Sequence, residues 1–192
     1  MTVLVAIQGD GWTVMGCDSR ASSEYGDHMI LATPKIIENN GVLIGGCGMG
    51  RGSNILQFGW DAPEPGATQD IDSFMSKIFI PEMRKEFIEA GYDMKWDGEA
   101  AGHDSAFLVS VKGIIYPIFS DYGWDRDVRG VYVMGSGGDI ALGALDALEV
   151  SKIKTPRKAE TVVRKAIASA IKHNVFCSEP IYTSIQYADE VI

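Results

Sequence analysis

The chain has 192 residues, enough for one domain with a sizeable core and short for two, and its single domain is expected to span residues 1–192. A formal charge of -9 argues against nucleic acid or an anionic membrane as the main partner. The 46% hydrophobic and 22% charged content is that of an ordinary globular protein, and no apolar run approaches the roughly 18 residues of a membrane span.

The first eighteen residues read as a hairpin. An apolar strand, Thr2 to Ile7, turns at Gln8-Gly9-Asp10-Gly11 and returns as Trp12 to Cys17, ending on Asp18. This folds Asp18 back beside the start of the chain. Removal of Met1, usual before a small second residue, would give Thr2 a free α-amine. A polar loop, Ser19 to Asp27, precedes the run Met29 to Ile37, which reads as one extended segment followed by a turn at Glu38 to Gly41. Val42 to Gly48 is a buried strand ending in small residues, so four strands fall within fifty residues and predict an antiparallel sheet.

The period then changes. Arg51 to Trp60 predicts a short helix, and Thr68 to Ala90 a longer one with Ile71, Phe74, Ile78, Met83, Phe87 and Ile88 on its buried side and a break or kink near Ile80, before Pro81. Tyr92 to His103 reads as a surface loop. Ser105–Val111 and Ile114–Phe119 flank Lys112-Gly113 as a hairpin, and a third strand covers Gly130–Met134. Gly135-Ser136-Gly137-Gly138-Asp139 leads into a helix from about Ile140 to Val150. A last helix, Ala159 to His173, and a strand, Ile181 to Tyr187, close the chain. Strands and helices in separate blocks predict an α+β fold of two stacked antiparallel sheets with a helix pair on each outer side.

Four features bear on chemistry, and each taken alone has an ordinary structural role. Thr2 with a free amine would carry its own base, at a reference pKa of roughly 7.7–8.0, yet many chains begin Met-Thr. A lysine near its hydroxyl would favour the alkoxide, and Asp18 paired with Lys35 would orient that lysine; otherwise these are a turn carboxylate and a strand-end lysine. Gly46-Cys47-Gly48-Met49-Gly50 either lets backbone N–H groups approach a substrate as an oxyanion hole or packs a strand tightly on a helix. In Gly135-Ser136-Gly137-Gly138, Ser136 could relay a proton, while Asp139 could simply cap a helix. Neither glycine run fits a nucleotide-binding fingerprint. Cys17, Cys47 and Cys177 form no CxxC pair and no zinc spacing with His28, His103 or His173, so no metal or other cofactor is expected. An odd cysteine count and an amino terminus unlike a signal peptide point to a reducing, cytoplasmic setting.

Taken together and in order, these segments resemble the β-type subunits of the proteasome and the bacterial HslV peptidase, which are N-terminal-nucleophile hydrolases. The resemblance runs over nearly the whole chain. Thr2-Val3-Leu4-Val5 is similar to the family's catalytic start, and Gly16-Cys17-Asp18-Ser19-Arg20-Ala21-Ser22 resembles its "ADSRAT" segment at the family's distance from the threonine. Lys35-Ile36 resembles the catalytic lysine motif with one residue inserted. Val42 to Gly48 resembles the strand whose last glycine supplies the oxyanion donor. Gly135-Ser136-Gly137-Gly138 followed by Ala141 to Leu148 is the most specific match.

The resemblance implies a four-layer αββα sandwich and a threonine endopeptidase. In it Thr2 is nucleophile and, through its amine, base; Lys35 tunes the hydroxyl; Asp18 holds Lys35; Gly48 donates to the oxyanion; and Ser136 supports the amine. Ala21 and Ser22 would pair with an extended substrate, and Thr33 and Gly46 would shape the specificity pocket, with glycine at 46 suggesting a roomy one. It further implies a homo-oligomeric ring that takes peptides or unfolded proteins, served by an ATP-dependent unfoldase. Near the end of the last helix the chain departs from the proteasome pattern: Asn174 stands in place of an aspartate and Cys177 in place of a serine. Asn174 can still hydrogen-bond Ser136 or Thr2, without a charge. Two alternatives follow, an inactive ring subunit of the same fold and an amidase acting on a small amide by the same chemistry.

Overall fold

The computed structural model describes residues 1–23, 25–94 and 102–188. Most of the loop expected between Tyr92 and His103 lies outside the described residues, as does Glu24 in the loop after Asp18.

The hairpin at the start of the chain forms as expected. Strands β1 (Leu4–Gly9) and β2 (Trp12–Cys17) pair antiparallel, Leu4 opposite Cys17 and Gly9 opposite Trp12. Asp10-Gly11 makes the turn, with Gly11 at φ +73°. Next in chain order come β3 (Arg20–Ser22) and β4 (His28–Ile30), a small two-stranded sheet, then β5 (Ile36–Asn39) and β6 (Val42–Gly48). After the first helices, α1 (Gly50–Phe58), α2 (Ile71–Phe74) and α3 (Ile80–Glu89), follow β7 (Ser105–Val111), β8 (Ile114–Ile118) and β9 (Val131–Met134). Helices α4 (Gly138–Ala147) and α5 (Pro156–His173) and strand β10 (Tyr182–Tyr187) end the order. One four-stranded sheet runs β10-β2-β1-β9 and the other β5-β6-β7-β8, every pairing antiparallel.

The strand alternation sorts side chains into three apolar layers. Val3, Val5, Ile7, Trp12 and Val14 pack with Ala141 and Leu145 of α4 and Val163, Ala166 and Ile167 of α5. The intervening residues Leu4, Ala6, Met15 and Cys17 meet Leu43, Leu108 and Ile115 of the facing sheet. On that sheet's other side Val42, Ile44, Phe107 and Val109 bury Leu56, Phe74, Met83 and Phe87. The architecture is α+β, a four-layer αββα sandwich. A polar node crosses the sheet interface far from the start of the chain: Ser110 Oγ donates to Gln186 Oε1 (2.7 Å) and so receives its bond from Thr13 Oγ1 (2.6 Å). No helix among the described residues is long and apolar enough to cross a membrane.

Two local expectations are corrected. Met29 to Ile37 is not one extended segment. β4 ends at Ile30, Thr33-Pro34-Lys35 turns the chain, and β5 begins at Ile36; with β3 (Arg20–Ser22) forming inside the segment expected to be a polar loop, six strands rather than four precede α1. Pro34 has no N–H to give a ladder, which is why the run divides there. At Pro81 the helix is distorted rather than broken. The preceding turn widens to a π-helical stretch at Met75–Phe79, Ile80 N–H reaching back to Met75 O, which relieves the clash a proline ring makes with the carbonyl four residues earlier. The shift in phase leaves Ile78 and Ile88 exposed instead of buried.

His103 is the buried base of this half of the molecule. It is 2% exposed, its Nδ1 accepts from Ser105 N–H (3.2 Å), and its ring packs edge-on to Phe87 and Tyr122. Burial pushes its pKa below the ordinary 6.5, against the pull of Asp93, Asp104 and Asp121. The unfolded chain therefore binds this proton more readily than the folded one. The stability that neutral His103 confers is complete above pH 6.5 and is lost as pH falls from there through the depressed folded value. Urea midpoints measured between pH 7.5 and 5 are expected to fall more steeply for wild type than for His103→Gln, which does not titrate.

Candidate active site

The β1–β2 hairpin delivers Asp18 to the start of the chain through reciprocal bonds: Val3 N–H donates to Asp18 Oδ1 (3.0 Å) and Asp18 N–H to Val3 O (3.3 Å). Asp18 is fully buried and every lone-pair direction is used. Oδ1 also accepts from Lys35 Nζ (2.7 Å), and Oδ2 accepts from Arg20 N–H (3.0 Å) and Ser178 N–H (3.2 Å). A buried carboxylate with four donors is fixed in place.

Lys35 enters from the turn ahead of β5. Its ammonium donates to Thr2 Oγ1 (2.8 Å), Asp18 Oδ1 and the Arg20 carbonyl (2.6 Å), with the Met1 carbonyl at 3.4 Å. Gln57 Nε2 on α1 holds the Lys35 carbonyl from behind (2.9 Å). Neither Arg20's carbonyl nor Gln57 was marked in the sequence, because a backbone acceptor has no residue-type signature. Thr2, 4% exposed, donates its hydroxyl proton to Met1 O (2.6 Å). Thr2, Asp18 and Lys35, far apart in sequence, thus form one chain of contacts.

On its other side Thr2 is held by the turn after β9. Its carbonyl accepts from Gly137 N–H (3.2 Å) and lies 3.5 Å from Ser136 Oγ, a long contact. Gly135 sits at φ +85°, and a Cβ there would overlap Thr2 O. Asp139 does not cap α4; the cap position is Gly137, without a side-chain bond, and Asp139 lies in the first turn. Asn174 ends α5 and bonds the Ser136 carbonyl through Nδ2 (2.6 Å), while its Oδ1 accepts from Phe176 N–H (2.9 Å). It braces Ser136 through the backbone and makes no bond to Thr2.

Thr2, Ala21, Ser22, Thr33, Lys35, Gly46 and Gly48 all line one cavity of about 400 Å³. Asp18, Ser136 and Asn174 stand behind Thr2 instead of in its wall. Gly46 N–H donates toward Lys35 O on the β5 side (3.4 Å), and strand alternation turns the Gly48 N–H to that same edge, where β5 has not yet begun. The expectation of extra room at Gly46 is corrected: Ser53 of α1 places its Oγ where a Cβ at 46 would sit, so the missing side chain is already replaced.

The cysteines gather around this site without supplying a nucleophile. Burial pushes the Cys177 thiol up to about 11 and the Cys17 thiol to about 11, and it also raises that of Cys47. A thiol so raised stays protonated and unreactive near neutral pH.

No protein-family model matches the sequence, and no curated protein matches it. Solved structures do match over the whole chain. BPH of Thiobacillus denitrificans superposes with a TM-score of 0.77 at 17% identity, over 98% of this chain and 100% of that one. The same protein in complex with epoxomicin gives 0.77 at 18% identity with the same coverage. The HslV of Trypanosoma brucei, a eukaryote, gives 0.65 at 18% identity, over 97% of this chain and 99% of that one. The chain has the fold of HslV-type peptidases.

Proposed function

We propose that the chain is a threonine-type peptidase whose nucleophile is Thr2 once the residue ahead of it has been removed. The observation that carries this reading is the single ammonium of Lys35 bonded at once to Thr2 Oγ1 (2.8 Å) and to the buried Asp18 (2.7 Å), at the wall of a cavity flanked by β3. Met1 contributes to the wall of that cavity, and its carbonyl lies against both Thr2 Oγ1 and Lys35 Nζ. Its removal opens the site and frees the amine.

In the reaction, Thr2 Oγ attacks a peptide carbonyl carbon as the Thr2 amine takes the hydroxyl proton. Lys35 favours the forming alkoxide, and the Gly48 N–H donates to the oxyanion. The amine returns its proton to the departing peptide nitrogen, leaving an ester on Thr2. Water, activated by the same amine, cleaves that ester. Ala21 and Ser22 align the substrate as an added strand, and no cofactor takes part. Exposed Tyr25, Met29, Ile30, Met49 and Phe58, which include residues at the rim of the site, support assembly into a ring of like subunits. An ATP-dependent unfoldase in the cytoplasm would then supply unfolded chains. An inactive ring subunit is the second reading, favoured by the neutral Asn174 brace on Ser136; a retained Met1, or a processed chain that hydrolyses no peptide, would support it.

Intact mass is expected to show Thr2 as the first residue, with hydrolysis of short fluorogenic peptide amides. Thr2→Ala is expected to abolish turnover and binding of epoxomicin, the compound bound by the Thiobacillus protein, while leaving the assembly's size unchanged. A retained Met1 with no hydrolysis sinks this reading.

A further inference from the structure

The cavity wall at Gly48-Met49 carries the oxyanion donor in the reading above, on which this inference rests, yet a loop that begins with a glycine has no intrinsic stiffness. Its rigidity comes from beneath. Gly48 is at φ +94°, and a Cβ there would lie 2.6 Å from Asp104 O, so the loop rests directly on the backbone ahead of β7. Met49 N–H donates to Asp104 O (2.9 Å), and Ser105 Oγ donates to Met49 O (2.9 Å). The peptide planes on both sides of Met49 are therefore held, and the plane that carries the Gly48 N–H is confined between them and the β6–β7 ladder, where Cys47 pairs with Ala106.

Ser105 has one hydroxyl proton and spends it on Met49 O. The 2.8 Å contact between Ser105 Oγ and Tyr92 Oη must then be a bond donated by the tyrosine. The direction is fixed throughout, from Tyr92 O–H to Ser105 O–H to the Met49 carbonyl, and hydrogen bonds in such a chain strengthen one another. Ser105 (5% exposed) and Tyr92 (9%) are shielded from water that would compete. Burial raises the Tyr92 pKa and lowers that of His103, keeping the first a phenol donor and the second a neutral acceptor for Ser105 N–H. Neither Tyr92 nor Ser105 lines the cavity, so neither meets substrate.

We infer that Ser105, itself held by Tyr92, is a positioning residue that fixes the Gly48-Met49 loop in the geometry needed to receive an oxyanion. Loss of an oxyanion donor costs roughly 10²–10³ in kcat. A loosened donor should cost less, so Ser105→Ala is expected to lower kcat about 10- to 100-fold with KM within about twofold. The isosteric Tyr92→Phe is expected to lower kcat several-fold. The separating readout is a pair of ligands on the assembled protein. A peptide aldehyde, whose adduct with Thr2 bears the oxyanion, should lose affinity in proportion to kcat. The corresponding peptide alcohol, which forms no adduct, should bind as before. Unchanged kcat in both variants, or equal loss of affinity for aldehyde and alcohol, overturns the inference and leaves the peptidase reading standing. A processed wild type inert toward every peptide overturns both.

Discussion

Lys35→Ala is expected to lose about 10³-fold or more in peptide turnover and, separately, to destabilise the fold. The two losses have different origins. Turnover fails because the ammonium is the one cation bonded to Thr2 Oγ1 among the contacts described, and without it the alkoxide forms against the nearby charge of Asp18. Stability falls because Asp18 is fully buried, and removing one partner of a buried ion pair costs about 3–5 kcal/mol. The loss should lie at the lower end, since three backbone N–H groups still reach the carboxylate. A double variant, Asp18→Asn with Lys35→Met, separates the effects. It removes both charges, so the urea midpoint should recover relative to Lys35→Ala, whereas turnover should not. If Lys35→Ala hydrolyses peptides at a tenth of the wild-type rate or better, the role given to Lys35 is wrong.

The elements of this site differ in how plainly the sequence announces them. Thr2 and Asp18 were legible because their chemistry lies in side chains and their spacing follows from a hairpin whose turn, Asp10-Gly11, is written in residue type; Lys35 was legible only as the lysine of a resembling motif. The double-sided burial of β1 was legible as an apolar run. The approach of Lys35 was not, because it depends on a turn at Pro34 inside a stretch whose composition otherwise reads as strand. The filling of Gly46 by Ser53 was invisible for another reason: a glycine says that a Cβ is absent, and only the neighbouring helix says what stands there instead. Backbone partners escape residue-type reasoning altogether, as with the Arg20 carbonyl on Lys35 and the Ser178 N–H on Asp18. Asn174 shows the converse. The substitution in the family pattern was plain, while its consequence lies in the fold, which sets the amide between the Ser136 carbonyl and the Phe176 N–H.

The turn after β9 yields the second large effect. Gly135→Ala is expected to cut turnover by about 10²-fold or more while the chain still folds. At φ +85° a side chain is strained by roughly 1–2 kcal/mol, and the added carbon would also lie 2.8 Å from Thr2 C and 3.2 Å from Thr2 Cβ, overlapping the carbonyl oxygen. The obstacle is backbone, which cannot rotate aside as a side chain can, so Thr2 itself must move. Its carbonyl would leave Gly137 N–H and Ser136 Oγ, and its hydroxyl would shift relative to Lys35. A misplacement near 1 Å at a reacting atom costs about 100-fold. Gly143→Ala on α4 is the matched control, for nothing lies within 4 Å of a Cβ there. In an exposed helical position alanine should raise stability by about 0.5–1 kcal/mol and leave turnover alone. A Gly135→Ala protein as active as the Gly143→Ala control would mean that this turn does not set the position of Thr2.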